Sequence, residues 1–151
     1  MKINNIQYPV FNPYNKATLE IYVSGCYRNC KGCHNDELKN FNIGKEIEYS
    51  EFIPYLLERT FLFECISVTG GDLLCQKEGE AKELSLKIRE AFPMKEMWLF
   101  TGEDEFRKMP IWTREIYDII KYGSYKKELK QKGFPASSNQ QIWRKNEDTS
   151  M

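Results

Sequence analysis

Three features of the sequence predict an α/β fold built on a mainly parallel sheet. Short runs rich in strand-forming residues recur at 17–24, 65–69, 96–102 and 116–123, each of them meets a glycine at its end, and helix-forming segments lie between them. Strand, glycine and helix in repetition describe βα units, whose crossovers hold successive strands parallel. In sheets of this kind ligands gather at the C-terminal ends of the strands. The unusual residues of this chain fall at those ends.

Taken in order, residues 1–16 read as irregular, with Pro9, Pro13 and several asparagines. In "ATLEIYVSGC" the alternation of Leu19, Ile21 and Val23 marks a strand that delivers Gly25 and Cys26 just past its end. Residues 35–49 read as loop and short turns. "SEFIPYLLERTF" predicts a helix with Ser50 as N-cap and Pro54 near the start, where proline is tolerated. "CISVTGGD" is a strand over 65–69 closed by Gly70 and Gly71. "EGEAKELSLKIREAF" sets Ala81, Leu84, Ile88, Ala91 and Phe92 at helical spacing, with Glu83 and Lys87 one turn apart and Pro93 as the stop. "EMWLFTG" is the third strand, followed by a short helix near "EDEFRKM". "IYDIIKYG" is the fourth, followed by a helix over "YKKELKQ".

The 151 residues predict a single domain, 1–151, with a core of ordinary size. Lysine plus arginine equals aspartate plus glutamate at 22 each, so charge offers no argument for a nucleic acid or an anionic membrane as partner. No apolar run approaches the roughly 18 residues of a membrane helix, and "MKINNIQYPVFNPYN" has no secretory core. A cytoplasmic location is expected, where thiols stay reduced.

Three of the five cysteines stand within "CYRNCKGCHN" as C-x3-C-x2-C, with the only histidine, His34, after the last. Free or buried thiols are the plainest reading. A zinc site on Cys26, Cys30, Cys33 and His34 is a second, although structural zinc usually draws pairs of ligands from two separated segments. "CKGCH" also matches the haem-attachment pattern, which leaves Cys26 without a role. The fourth reading is an iron–sulfur cluster, with three local thiolates and one iron position left open. Cys65 and Cys75 are the candidates for a fourth thiolate. Both have plainer explanations, Cys65 as a buried thiol beginning an apolar strand.

C-x3-C-x2-C at the end of a first strand resembles the signature of radical S-adenosylmethionine enzymes. The resemblance assigns Cys26, Cys30 and Cys33 as ligands of a 4Fe–4S cluster whose remaining iron takes the amino acid end of S-adenosylmethionine. "SVTGGDLL" is similar to the Gly-Gly-Glu/Asp motif of the same family. There Gly70 and Gly71 let backbone carbonyls approach the cofactor's ammonium group, and Asp72 adds a carboxylate or shapes the turn. The whole layout resembles the small glycyl-radical-enzyme activases of anaerobic ribonucleotide reductase, from about residue 8 to 144, through "WLFTG", "DIIKYGSY" and "FPASSNQQ". It departs from their pattern at Leu73, Tyr122 and the Phe134-Pro135-Ala136 run, and His34 stands where a tyrosine is usual.

The resemblance implies a partial, open (β/α) barrel of about five to six mainly parallel strands. It also implies reductive cleavage of S-adenosylmethionine to a 5′-deoxyadenosyl radical, which takes hydrogen from a glycine of the reductase large subunit. An electron donor such as a flavodoxin or ferredoxin is implied as a second partner. Asn35 is expected to order the cysteine loop, and Thr101 and Asp118 are expected at the cofactor from their strand-end positions. His34 packs by the loop or acts chemically; Ser137, Ser138 and Asn139 form a surface loop, a rim of the site or a partner contact. Two rival functions stay open: a radical enzyme acting on a small molecule, such as a deazapurine-forming synthase, and a non-enzymatic iron–sulfur or zinc module.

Overall fold

The computed structural model describes residues 1–28 and 36–147. Cys30, Cys33, His34 and Asn35 lie outside the described residues. The framework is one open, mixed sheet of seven strands: β1 (Lys2–Phe11), β2 (Ala17–Val23), β3 (Lys45–Glu46), β4 (Cys65–Gly70), β5 (Glu96–Phe100), β6 (Ile119–Tyr122) and β7 (Gln141–Arg144). Their order is β3-β1-β2-β4-β5-β6-β7. The central four pair parallel, Thr18 with Cys65, Cys65 with Glu96 and Trp98 with Ile119, while β1, β3 and β7 join antiparallel.

The sheet is thus larger and less uniformly parallel than the sequence suggests, and among the described residues no pairing closes it. The extra strands lie at the flanks, where patterning is weak. Most of β1 has a partner on one side only, so Pro9 falls at a register break between Gln7 and Val10 and costs little in ladder bonds. Four-residue β7, "QIWR", is too short to carry a period.

Among the described residues three α-helices cross one face: α1 (Tyr49–Leu57), α2 (Glu78–Ala91) and α3 (Ile111–Ile116). Leu19, Ile21, Val23, Ile66, Val68, Met97, Leu99 and Ile120 from the strands pack with Leu56, Ala81, Leu84, Ile88 and Trp112 from the helices in one core. The alternate residues Trp98 and Ile119 turn to the other face, where Phe100, Phe134 and Ile142 cover them. Trp98 meets Tyr14 at 5.4 Å and Phe134 at 6.2 Å between ring centroids.

Two helix expectations need correction. Helix α1 begins at Tyr49 with Glu48 as an N-cap that makes no side-chain capping bond, so Ser50 already lies inside it. The stretch from Tyr125 to Gln131 makes only a single 3-10 turn at Lys127–Leu129. Its lysines are exposed, Leu129 is 39% exposed, and a segment of this length has no packed apolar face to hold it helical.

The core predicts its own sensitivity. Ile88 is fully buried, so Ile88→Ala should cost about 2–5 kcal/mol in urea unfolding. Leu86, on the outer side of α2 and 37% exposed, should cost less than about 1 kcal/mol when changed to alanine. Equal losses would show that α2 does not pack as described.

Candidate metal and cofactor site

Beyond the end of β2 the chain turns sharply at Gly25, whose φ of 108° suits glycine. The Gly25 N–H donates to Leu38 O at 2.7 Å and the Cys26 N–H to Lys39 O at 3.1 Å. The loop that carries the cysteine triplet is therefore clasped at its base by the chain returning on its far side. Val23 O accepts from Gly71 N at 2.8 Å and Gly25 O from Asp72 N at 3.0 Å, which joins the base to the end of β4. The Gln76 side-chain amide lies within hydrogen-bonding distance of Ser24 O and Gly25 O, both at 3.0 Å, and of Asp72 O at 3.1 Å.

Asp72 is the centre of this arrangement. Only 1% exposed, its carboxylate accepts from Arg28 Nε at 2.8 Å, Leu74 N at 3.0 Å, Thr101 Oγ1 at 2.9 Å and Gly102 N at 2.7 Å. One buried charge thereby ties the cysteine loop to the ends of β4 and β5. Burial opposes the Arg28 charge, but the neighbouring Asp72 outweighs it and raises the Arg28 pKa. Glu103 adds a looser ion pair at 3.6 Å.

Gly71 has a structural role of its own. A Cβ there would stand 2.5 Å from Gly25 O and 2.8 Å from Gly25 C, so it permits a close approach to the backbone beside Cys26.

Cys26, Gly70, Gly71, Asp72 and Thr101 line one cleft of about 160 Å³ at the C-terminal ends of the parallel strands. Phe100, Gly102, Gly123 and Tyr125 extend its wall, with Arg28, Lys39 and Lys121 as its cations. An aromatic wall beside cations suits a ligand that carries both a ring and a carboxylate. The Thr101 hydroxyl is spent on Asp72. Ser137 is buried, Gln140 lines the cleft and donates to Gly123 O at 3.0 Å, and Asn139 donates to Ser124 O at 2.8 Å. Ala136 and Gln140 therefore touch the cleft, whereas Ser137, Ser138 and Asn139 are not among its lining residues and Ser138 is exposed.

Asp118 is not brought here. It precedes β6 at the opposite end of the sheet, where its carboxylate accepts from Arg89 Nη2 at 2.8 Å and Met97 N at 2.9 Å. Because α3 runs to Ile116, β6 begins three residues later than "IYDIIKYG" suggests, and Asp118 falls at its start. Cys65 is likewise remote, at the first residue of β4. Burial, and then Glu96 beside it, pushes its thiol up to about 12.

Cys75 behaves differently. Its thiol donates to Cys26 Sγ across 3.9 Å, and this bond, against the opposing effect of burial, brings Cys26 down to about 7. Ligand atoms of Cys26, Asp72 and Cys75 all lie within 4.8 Å of one another. The oxygens of Asp72, however, are already held by four donors. A half-buried sulfur of lowered pKa at the cleft is fit to bind iron as a thiolate, so the described part of the donor set suits an iron–sulfur cluster. Arg28 and Gln76 are the residues that sequence reading does not place here, and Cys75, weighed there as a fourth thiolate, lies beside Cys26. Arg28 lies inside the cysteine motif, but nothing local marks it as the partner of a residue 44 positions away.

Comparison with known proteins agrees with this chemistry. A family model described as a 4Fe-4S single cluster domain matches residues 17–143. The chain is 28% identical over 127 residues to the anaerobic ribonucleoside-triphosphate reductase-activating protein of Enterobacteria phage T4, covering 82% of this chain and 81% of that one. It is 29% identical over 141 residues to the protein of that name from Escherichia coli, covering 88% and 90%. To the Salmonella typhimurium protein of that name it is 30% identical over 142 residues, again covering 88% and 90%.

The geometry predicts a sharp effect at Gly71. Gly71→Ala forces the Gly25 backbone to move, so the isolated protein should lose the ability to take up iron and sulfide anaerobically while its far-ultraviolet circular dichroism stays that of the unchanged protein. Full iron uptake by Gly71→Ala would show that the cysteine loop does not depend on this contact.

Proposed function

Because this chain belongs to the family of anaerobic ribonucleoside-triphosphate reductase-activating proteins, we propose that it is an iron–sulfur activase of the large subunit of an anaerobic ribonucleotide reductase. In this reading Cys26, Cys30 and Cys33 hold a 4Fe–4S cluster and S-adenosylmethionine binds in the adjoining cleft. The bound cluster supplies the electron that cleaves the cofactor to methionine and a 5′-deoxyadenosyl radical, and a glycine of the reductase gives up its hydrogen. A flavodoxin or ferredoxin serves as electron donor.

The observation that carries the reading is the junction of Cys26 with the Gly-Gly-Asp turn at the mouth of the strand-end cleft. The protein's own work there is to bind, orient and shield. Backbone carbonyls at the Thr69–Gly71 strand end are suited to the cofactor's ammonium group, with Asn35 ordering the loop above them. Asp72 sets the turn and, through Arg28, the cysteine loop, rather than meeting the cofactor itself. Thr101 fixes Asp72. Phe100 and Tyr125 offer an apolar wall to a purine.

The openness of the site favours a protein as the final substrate. The open sheet leaves the cleft to be closed by a partner, and a reactive radical requires that closure against water. Among the described residues no helix is long and apolar enough to cross a membrane.

Two outcomes test this. Alanine at Cys26, Cys30 or Cys33 should abolish cluster assembly, measured as iron and sulfide per chain after anaerobic reconstitution, while Cys65→Ala and Cys75→Ala should retain it. Retention by Cys26→Ala with loss in Cys65→Ala would reverse the ligand assignment. For the activity, the loaded protein, a chemical reductant, S-adenosylmethionine and an anaerobic ribonucleotide reductase should together give a glycyl doublet by electron paramagnetic resonance, with none when any component is left out. Cofactor cleavage that instead converts a small molecule, with no radical on the reductase, would favour a small-molecule radical enzyme.

A further inference from the structure

Cys75 has no part in the ligand set proposed above, yet its sulfur lies 3.9 Å from that of Cys26 in a partly buried pocket. The backbones beneath both sulfurs are fixed. Cys26 N is bound to Lys39 O, Cys75 N to Asp72 O at 3.1 Å, and the neighbouring Gln76 amide bridges Ser24 O, Gly25 O and Asp72 O. Neither residue can drift away from the other without breaking these bonds. A disulfide needs the sulfurs at about 2.05 Å, a closing movement of about 1.9 Å that side-chain rotation supplies. Cys65, the other free thiol among the described residues, sits at the far end of β4 with Asn12 and Glu96 and cannot compete.

We propose that Cys26 and Cys75 form a redox pair, which peroxide converts in the cluster-free protein into an intramolecular disulfide that withdraws one cluster ligand and keeps it from irreversible oxidation. The steps balance. The Cys26 sulfur attacks one oxygen of hydrogen peroxide, the O–O bond breaks, and a sulfenic acid and one water result. The Cys75 sulfur then attacks Cys26 Sγ, the S–O bond breaks, and a second water leaves with the Cys75 proton. Two thiols are oxidised by two electrons and one peroxide is reduced to two waters. A second thiol placed at contact distance diverts the sulfenic acid before further peroxide carries it to the sulfinic acid, which thiol reductants do not restore.

The formation of the disulfide stands on the geometry alone; that it withdraws a ligand rests on the assignment of Cys26 proposed above. Tryptic cleavage after Arg28, Lys31, Lys39 and Lys77 puts Cys26, Cys30 and Cys33 on three separate peptides. Cluster-free protein, prepared anaerobically with a chelator, is treated with one equivalent of hydrogen peroxide, alkylated, digested and analysed by mass spectrometry. The expected product is the peptide of residues 17–28 linked to that of residues 60–77, two hydrogens lighter than the sum apart from one alkyl group on Cys65, with fragment ions placing the bond at Cys75. Iron and sulfide uptake should be lost and should return after dithiothreitol. In Cys75→Ser, the same treatment should give sulfinic acid at Cys26 and a loss of uptake that dithiothreitol does not reverse. Cys26 linked to Cys30 or Cys33, or Cys75 fully alkylated beside an oxidised Cys26, would overturn the proposal. A Cys26–Cys75 disulfide that still loads a full cluster would overturn the ligand withdrawal and the assignment of Cys26, whereas the activase reading itself is decided by the glycyl radical.

Discussion

The carboxylate of Asp72 is the interaction on which the rest of the site depends. A buried charge of this kind is tolerated only when every oxygen is satisfied, and here the four donors come from three separate parts of the chain: the cysteine loop, the turn after β4 and the end of β5. Removing the charge would leave half-buried Arg28 with only the looser Glu103 pair and two strand ends without a common acceptor. The group therefore acts less as a ligand than as the node that makes three loops into one wall.

Around that node the sheet supplies direction. Parallel pairing of β2, β4, β5 and β6 brings their C-terminal ends to one edge, where Cys26, Gly71, Thr101 and Gly123 meet. Helices cover one face of the sheet and an aromatic patch covers the other. The Gln76 amide and the Gly25–Gly71 contact then fix the backbone at Ser24 and Gly25, from which the cysteine loop departs. Openness and rigidity coexist because the rigid parts are hydrogen-bonded backbone at strand ends.

Much of this was legible in the sequence where local signals are strong. Alternation in "ATLEIYVSGC", the apolar run of "CISVTG" and the helical spacing of Leu84 and Ile88 mark β2, β4 and α2 within a residue or two of where they lie. The cysteine spacing admits an iron–sulfur cluster, in keeping with the 4Fe-4S family model that matches the chain. What escapes is pairing over distance. Nothing near Arg28 points to Asp72, and nothing near Cys75 points to Cys26. The approach of the Gly25 backbone to Gly71 is likewise invisible in the sequence. Asp118 reads as a strand end, but the preceding helix turn moves it to the strand's beginning. The flanking strands β1 and β7 carry too little period to announce themselves.

The account separates the residues that hold the cluster from those that shape the place for it, and the role given to Asp72 is its most exposed point. An anaerobic crystal structure of the protein loaded with its cluster and S-adenosylmethionine tests that role directly. The account predicts Cys26, Cys30 and Cys33 bound to iron, the cofactor's ammonium on backbone carbonyls, and the Asp72 carboxylate still held by Arg28, Thr101 and Gly102. A carboxylate swung onto the cofactor with Arg28 released would contradict it.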